Sequence, residues 1–360
     1  MKTPQTRPGT RRGFTLIELL IVIAIIGIIL SLVAAAVIQA LKSGRRTQNR
    51  AEISQVDVGI ETFKHKFGMY PPSRIRLCEK LFYYDLAINP TTGQPNNQLD
   101  TDSVQFITQM FPHIDMNAWN APSLGVGIDW NGNGVIDPPG AAPWVPGMDC
   151  PGGITLEGDQ CLVFFLGGIP VLPGGGASAQ CLGFSTNPRN PASPTTDRIP
   201  PFEFDSKRLV LLRFAGNPYN RYFSYGDNYC TTDGAGTLLS GAPYAYFSSY
   251  KNPNGYNRYA SFQLLQPVYP APGIALAFGA SDCSTLGLAG GAYFESASTI
   301  GTKYLKPNSF QIISAGADGF FGLGGGPWNA AMAPQMYPAG NPGFDDQSNF
   351  SSAMLNVGSN

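Results

Sequence analysis

Residues 19–38 read LLIVIAIIGIILSLVAAAVI, a run of aliphatic residues and alanine that only Gly27 and Ser31 interrupt. As a helix this run is roughly 30 Å long, which matches the hydrocarbon core of a bilayer. Fourteen of its residues are Leu, Ile or Val, and together they favour membrane insertion by roughly 4–8 kcal/mol. The run therefore predicts a membrane-spanning helix.

The charges that precede this run predict its orientation. The first 13 residues contain no acidic residue but four basic ones, Lys2, Arg7, Arg11 and Arg12. A basic segment before an apolar run is typical of an export signal, and such a segment stays in the cytoplasm. We therefore expect a single-pass protein of the inner (cytoplasmic) membrane, with residues 69–360 in the periplasm or outside the cell.

The composition narrows the class of protein. Charged residues make up 13% of the chain and the formal net charge is -1, so no basic excess predicts nucleic-acid binding. A hydrophobic content of 43% and an aromatic content of 12% argue for a folded body. The 43 Gly and 31 Pro residues predict many turns and long loops in that body.

Glu18 does not fit a plain membrane anchor. It lies at the edge of the apolar run, and a carboxylate at the centre of a bilayer costs about 2.5–3.5 kcal/mol. Such a charge predicts a partner of opposite charge. A simple signal anchor, or a signal peptide cut after Ala34–Ala36, would leave Glu18 without a role.

The segment RRGFTLIELL, residues 11–20, resembles the class III signal of type IV prepilins and type II secretion pseudopilins. The resemblance implies that residues 1–13 are a leader, which a prepilin peptidase removes by cleavage between Gly13 and Phe14 before it N-methylates Phe14. It also implies that Glu18 pairs with the N-terminal ammonium of a neighbouring pilin or pseudopilin subunit. This pairing is physically sound because two opposite charges in an apolar setting offset each other's desolvation.

A second pattern extends the helix beyond the membrane. Apolar residues recur at spacings of 3, 4, 3 and 4 and form one face of an amphipathic helix: Ile53, Val56, Ile60, Phe63 and Phe67. Gly68 and the pair Pro71-Pro72 predict its end. We therefore predict one helix over residues 14–68, with a membrane-spanning part at about 19–38 and an amphipathic part at about 43–67.

These elements predict an α+β, pilin-like fold. In such a fold the long helix packs on an antiparallel sheet, and here the exported β-rich domain, residues 69–360, would carry large loop insertions. Short apolar runs at residues 162–166, 210–212 and 262–265 predict strands. Residues 102–111 predict a short helix.

Two further segments favour a type II secretion pseudopilin over a type IV pilin, the alternative. Residues 62–72, TFKHKFGMYPP, resemble the stretch where the major pseudopilin leaves its long helix, and residues 313–319, ISAGADG, resemble a stretch near its C-terminus. The resemblance implies a calcium role for a set of carboxylates near the C-terminus, Asp318, Asp345 and Asp346. A polar turn is the alternative for these residues.

Residues 129–137, DWNGNGVID, match the first nine positions of an EF-hand-type calcium loop. Oxygen-bearing side chains occupy positions 1, 3, 5 and 9 and a main-chain carbonyl occupies position 7, which gives the candidate ligands Asp129, Asn131, Asn133, Asp137 and Val135. Gly140 at position 12 supplies no carboxylate. The alternative is a turn that Asp and Asn hold together by bonds to the main chain.

All the cysteines follow the apolar run: Cys78, Cys150, Cys161, Cys181, Cys230 and Cys283. An oxidising compartment permits up to three disulfides among them, and spacing leaves the connectivity open. The chain contains no Cys-x-x-Cys sequence, which argues against a zinc or thioredoxin-like site.

The sequence predicts a structural protein rather than an enzyme. It holds only two histidines, His65 and His113, and no His-Glu-x-x-His or Gly-x-Ser-x-Gly element. A different class of function is a membrane-tethered, calcium-dependent binding module. It would use the loop at 129–137 and a Tyr-rich region at 217–262, where NPYNRY and NGYNRY recur 37 residues apart.

Overall fold

A computed structural model of the chain describes most of it in sixteen ranges: residues 15–123, 125–137, 153–172, 178–195, 197–212, 221–233, 236–250, 252–259, 281–283, 286, 291–298, 301–322, 324, 327–329, 340–352 and 354–356. The chain divides into two compact units, residues 1–48 and residues 49–360.

Helix α1, Leu16–Phe67, is the dominant element. It ends where Gly68 adopts a left-handed conformation with φ of +74°, and Gly68 N donates a closing hydrogen bond to Lys64 O at 2.7 Å. Glycine accommodates this conformation because it has no Cβ. The prediction of one long N-terminal helix is confirmed.

Among the described residues, the second unit contains three shorter α-helices, two 3-10 helices (Leu81–Tyr83 and Ser206–Arg208) and a set of short strands. The α-helices are α2 (Gln98–Met110), α3 (Met116–Trp119) and α4 (Gly158–Gly167). Helix α2 confirms the helix predicted at 102–111. The strands are β1 (Ile75–Cys78), β2 (Gly153–Leu156), β3 (Pro170–Val171), β4 (Gln180–Cys181), β5 (Leu209–Val210), β6 (Ser224–Tyr225), β7 (Thr231–Thr232), β8 (Leu238–Ser240), β9 (Ala245–Ser248), β10 (Phe294–Ser298), β11 (Gly301–Tyr304), β12 (Phe310–Ser314) and β13 (Gln347–Ser348).

The strands form small antiparallel sheets. The central one has the order β13–β12–β9, with Ile312 opposite Tyr246 and Ser314 opposite Gln347. Strands β1 and β2 pair in a second sheet. One long helix together with antiparallel sheets confirms the predicted α+β, pilin-like class.

The strand prediction at residues 162–166 is wrong, because this apolar run lies in helix α4. Every residue of α4 is buried, so the sequence has no polar face from which a helical period could be recognised. Gly158 lets the helix approach strand β9, since a Cβ there would lie 1.8 Å from Tyr246 O. The strand predicted at 210–212 is met only by Val210, in β5, and residues 262–265 lie outside the described residues.

The second half of α1 belongs to the main hydrophobic core. Ile53, Val56, Ile60 and Phe63 are at most 5% exposed, whereas Phe67 is partly buried against the same core. The Phe63 and Phe165 rings meet edge to face, with centroids 6.0 Å apart. The amphipathic stripe predicted from the sequence is therefore the surface that packs into the folded body of the second unit.

Candidate functional site

The N-terminal site begins at Thr15, because Gly13 and Phe14 lie outside the described residues. Thr15 N and Thr15 Oγ1 each donate to Glu18 Oε2 at 2.9 Å, and Glu18 N donates back to Thr15 Oγ1 at 3.3 Å. This reciprocal arrangement is a capping box, which satisfies main-chain N–H groups at the start of a helix. The side chain predicted to act in assembly thus lies in the first turn of α1.

The first half of α1 presents an unusual apolar surface. Its large aliphatic side chains are about half exposed or more, from Val22 at 47% to Leu16 at 83%. Among the described residues, α1 is the helix that is long and apolar enough to cross a membrane. An exposed aliphatic surface of this extent indicates a membrane anchor or a helix–helix interface.

The α+β arrangement is consistent with a pilin-like fold, and its first helix combines this apolar surface with a carboxylate in its first turn. The family model described as the prokaryotic N-terminal methylation motif matches residues 9–34. This motif indicates a type IV pilin-like substrate of a prepilin peptidase that assembles with pilin subunits, and the apolar helix fits membrane anchoring. Comparison with curated proteins and with solved structures finds no match.

Asn49 makes a buried polar contact that the sequence did not suggest. Its side chain is fully buried at the start of the stripe that continues with Ile53. Asn49 Nδ2 donates to Ser314 Oγ at 2.8 Å and to Gln347 Oε1 at 2.6 Å, and Tyr244 Oη donates to Asn49 Oδ1 at 2.6 Å. Asn49 lies four residues before Ile53, so it falls on the same face of the helix as the apolar stripe. A search for apolar periodicity does not detect it, because Asn is polar.

Glu52 extends this polar contact by one turn. Arg208 donates to both carboxylate oxygens of Glu52. Tyr225 Oη donates to Glu52 Oε1 at 2.7 Å, and Tyr244 Oη, which shares its one proton between Asn49 and Glu52, lies 2.8 Å from Glu52 Oε2. A bidentate Arg–carboxylate pair with two further donors is strongly oriented. We call Asn49, Glu52, Arg208, Tyr225 and Tyr244 the polar neck; it joins the second half of α1 to the rest of the second unit.

The structure brings the candidate ligands of residues 129–137 together. Asp129 accepts hydrogen bonds from Asn133 N at 3.2 Å and from Gly134 N at 2.8 Å. Asn131 Nδ2 donates to Asp137 Oδ2 at 2.8 Å, and Asn133 Nδ2 donates to Asp137 Oδ1 at 3.1 Å. Val135 is exposed and its N–H donates to Asn133 Oδ1. The polar side chains of the loop therefore converge on its interior.

The loop rests on Glu79, which follows strand β1 and which the sequence did not suggest. Glu79 is 2% exposed, and its Oε2 accepts a hydrogen bond from Asp137 N at 2.6 Å. Burial, reinforced by the carboxylates of Asp137 and Asp129, raises the pKa of Glu79 to about 8. Burial also raises the pKa of Asp129. On the outer side, Arg221 Nε donates to Asn131 O at 2.9 Å.

The C-terminal candidates also come together. Asp345 Oδ2 accepts from Ala317 N at 2.6 Å, Asp346 Oδ2 accepts from Gly322 N at 3.0 Å and Asp318 Oδ1 accepts from Phe320 N at 2.8 Å. The second oxygens, Asp345 Oδ1 and Asp346 Oδ1, are buried and have no hydrogen-bond partner within the part of the chain that the structure describes. Burial, with Asp345 nearby, raises the pKa of Asp318 to about 6, and burial raises that of Asp346 well above its ordinary value.

Neither acidic cluster has the geometry of an assembled metal centre as its side chains stand. Within the part of the chain that the structure describes, no three Asp, Glu, His or Cys side chains form a metal-binding group. Asparagine amides and main-chain carbonyls are additional ligands that calcium uses. The calcium predictions therefore stay predictions.

The Tyr-rich region packs inward for the most part. Tyr222, Tyr256 and Tyr259 are at most 6% exposed, which favours packing over an exposed binding platform; residues 217–220 and 260–262 lie outside the described residues. Tyr259 and Arg258 contact Asp102. They help to line a cavity of about 200 Å³ together with Tyr70, Arg74 and Tyr250.

Three cysteines occupy separate places in the second unit. Cys181 lies against Gly167, Cys230 lies against Gly226, and Cys283 Sγ donates to Tyr246 O at 3.3 Å. Burial raises the pKa of the Cys181 and Cys230 thiols to about 12. The structure does not pair these three with one another. Cys78 and Cys161 are buried, and Cys150 lies outside the described residues.

Proposed function

We propose that this chain is a structural subunit of a type II secretion pseudopilus, assembled through the first half of α1. The observation that carries the proposal is the exposed aliphatic surface of residues 16–41 on the helix whose continuation is built into a folded domain. Such a surface needs either lipid or other helices around it. In a prepilin this surface contacts lipid while the protein is in the membrane, and it contacts the helices of other subunits once the filament has assembled.

The processing chemistry gives Glu18 its role. Cleavage between Gly13 and Phe14 creates an amine with an ordinary pKa of about 7.7–8.0, which is largely cationic near neutral pH. Glu18, one turn into the helix, supplies the carboxylate for the amine of a neighbouring subunit. Each charge offsets the desolvation of the other within an apolar bundle. The capping box with Thr15 holds this carboxylate close to the helix terminus.

Two observations favour a pseudopilus over a type IV pilus. The chain leaves α1 through Tyr70-Pro71, where Tyr70 Oη donates to Glu61 Oε1 at 2.9 Å and Tyr246 Oη donates to Pro71 O at 2.8 Å. The C-terminal carboxylates converge and leave buried oxygens without partners, which fits a calcium ion. Asp318, Asp345 and Asp346 would hold the ion, and it would neutralise their charge.

The first experiment is mass spectrometry of the mature N-terminus from cells with and without the prepilin peptidase. A peptide that begins at N-methylated Phe14, and that disappears without the peptidase, is the expected result. A chain that begins at Met1 or Val37 would overturn the proposal.

A second experiment tests assembly through Glu18. Glu18→Gln should abolish filament formation while the protein stays in the membrane. The control, Glu203→Gln at an exposed site of the body, should assemble normally. Loss of protein secretion on deletion of the gene would favour a pseudopilus, whereas loss of surface filaments with normal secretion would favour a type IV pilus.

The second candidate is a membrane-tethered, calcium-dependent binding module. The cavity lined by Tyr70, Tyr250, Tyr259 and Arg258 supports it, because aromatic faces and a guanidinium suit polar ligands such as glycans. Glycan-array binding by the full chain in detergent, with calcium and with EDTA, tests this candidate. Calcium-dependent binding would support it; no binding, together with loss of secretion on deletion, would contradict it.

A further inference from the structure

We propose that residues 129–137 form a calcium site completed by Glu79, a carboxylate that comes from a distant segment and replaces the missing ligand at position 12 of the loop. An EF-hand-type loop of 12 residues ends in a bidentate Glu, whereas position 12 of this chain is Gly140. The proposal does not depend on filament assembly, because all the residues involved lie in the second unit.

Glu79 is a buried carboxylate with one oxygen available to bind a cation. Glu79 is buried, with only 2% of its surface exposed. Its Oε2 accepts the N–H of Asp137, the ninth residue of the loop, at 2.6 Å, so the carboxylate lies against the loop. Among the described residues, the other oxygen, Oε1, is buried and finds no hydrogen-bond partner. A buried carboxylate oxygen is costly unless something occupies its lone pairs.

The loop itself has the backbone shape that a calcium loop needs. Gly132 and Gly134 adopt left-handed conformations with φ of +65° and +84°, and Gly134 lies at the sharp turn, position 6. A Cβ at Gly132 would lie 2.7 Å from Pro170 O. The main chain of the loop is therefore held tightly against the body, with Trp130 fully buried beside it and donating from Nε1 to Cys78 O at 3.1 Å.

The surroundings of the loop suit a cation. Asp129 and Asp137 belong to the loop, and Glu79 adds a third carboxyl group through the contact of its Oε2 with Asp137 N. Within the described residues, no Lys or Arg forms an ion pair with any of the three. Arg221 reaches the loop but donates to the carbonyls of Asn131 and Gly132. Buried carboxylates of this kind are stabilised by a cation.

The ligand chemistry selects calcium. Without an ion, the amide groups of Asn131 and Asn133 donate to Asp137; rotation of each amide would present its oxygen instead. Carboxylate, amide and carbonyl oxygens, supplied by a flexible loop, suit calcium, whereas magnesium prefers a rigid octahedron rich in water. The proposed set is Asp129, Asn131, Asn133, the Val135 carbonyl, Asp137 and Glu79.

Calcium titration of the full chain in detergent tests the proposal. Isothermal titration should give a Kd of about 0.1–1 mM, the range of extracellular calcium modules. Tb³⁺ provides a second probe, because Trp130 is the second residue of the loop and should sensitise its luminescence. Calcium should displace Tb³⁺ and should raise the thermal midpoint of the body, as any ligand of the folded state does.

Glu79→Gln is the decisive variant. It keeps the shape of the side chain and an oxygen that can accept from Asp137 N, but it removes the charge. Calcium affinity should fall at least about tenfold, and sensitised Tb³⁺ luminescence should fall with it. In EDTA the variant should unfold at the same temperature as the wild type or higher, which a purely structural role would not produce. The matched control, Glu203→Gln at an exposed site, should bind calcium like the wild type.

Three outcomes would overturn the proposal. The first is no calcium binding by the wild-type chain at about 20 mM, well above the range of extracellular modules. The second is unchanged affinity in Glu79→Gln with lost affinity in Asp129→Asn, which would leave a site that does not use Glu79. The third applies if Glu79→Gln unfolds in EDTA. Glu79→Asp, which retains the charge, then replaces it as the test variant. Calcium binding by Glu79→Asp as weak as that of Asp129→Asn would overturn the proposal.

Discussion

The two halves of α1 have the same secondary structure and opposite surroundings. In residues 16–41 the large aliphatic side chains are 47–83% exposed, whereas the core-facing side chains of the second half, Ile53, Val56, Ile60 and Phe63, are at most 5% exposed. Helix geometry does not distinguish the halves, but the source of stabilisation does. The second half is stabilised by its own chain, while the first half depends on lipid or on other subunits.

The strongest test of this difference between the two halves of α1 is to place the same charge in each of them. Ile60→Lys should unfold the body, at a cost of roughly 4 kcal/mol or more, because it buries an unpaired ammonium. Ile26→Lys should leave the body intact and make membrane insertion less favourable by about 3–4 kcal/mol. Limited proteolysis reports on the body, and alkaline extraction of pulse-labelled membranes reports on insertion.

The two lysine variants serve as controls for each other. Normal proteolysis of Ile60→Lys would mean that the second half of α1 does not support the body. Protease sensitivity of Ile26→Lys would mean that the first half does.

A smaller effect is expected at the polar neck. Asn49→Ala removes one buried side chain and leaves Ser314, Gln347 and Tyr244 without their shared partner, which should lower the free energy of unfolding by about 1–3 kcal/mol. The neighbouring Gln48 is exposed, so Gln48→Ala should change it by less than about 0.5 kcal/mol. Thermal unfolding of the full chain in detergent compares them; equal midpoints would contradict the importance of the neck.

The smallest effect separates two glycines of the same helix. A Cβ at Gly59 would lie 2.8 Å from Phe202 Cδ2, whereas a Cβ at Gly27 meets nothing within 4 Å. Alanine favours a helix by about 1 kcal/mol over glycine, but overpacking costs about 1–3 kcal/mol. Gly59→Ala should therefore lower the stability of the body by about 1 kcal/mol. Gly27→Ala should not lower it, and a gain in both variants would show that Phe202 moves aside freely.

The sequence predicts the elements whose periodicity is visible and misses those that are buried on all sides. The length of α1 could be predicted from the apolar run and from the apolar stripe that begins at Ile53, and its end from Gly68. Helix α4 could not be recognised, because residues 162–166 are uniformly apolar and buried throughout, so neither a helical nor a strand period appears.

The candidate sites show the same limit. The loop at 129–137 is visible because its ligands are spaced locally. Glu79 lies 50 residues before Asp129 and joins the loop only through the fold, so no local spacing could indicate it. Asn49 is missed for a related reason: its partners Ser314 and Gln347 are more than 260 residues away in sequence, and a polar residue on an apolar stripe reads as an interruption.

The polar neck has a mechanical consequence. Asn49 bonds to Ser314 of β12 and to Gln347 of β13, while Glu52 one turn later bonds to Arg208. A tensile load carried along α1 therefore enters the body through segments that are far apart in the chain and is shared among them.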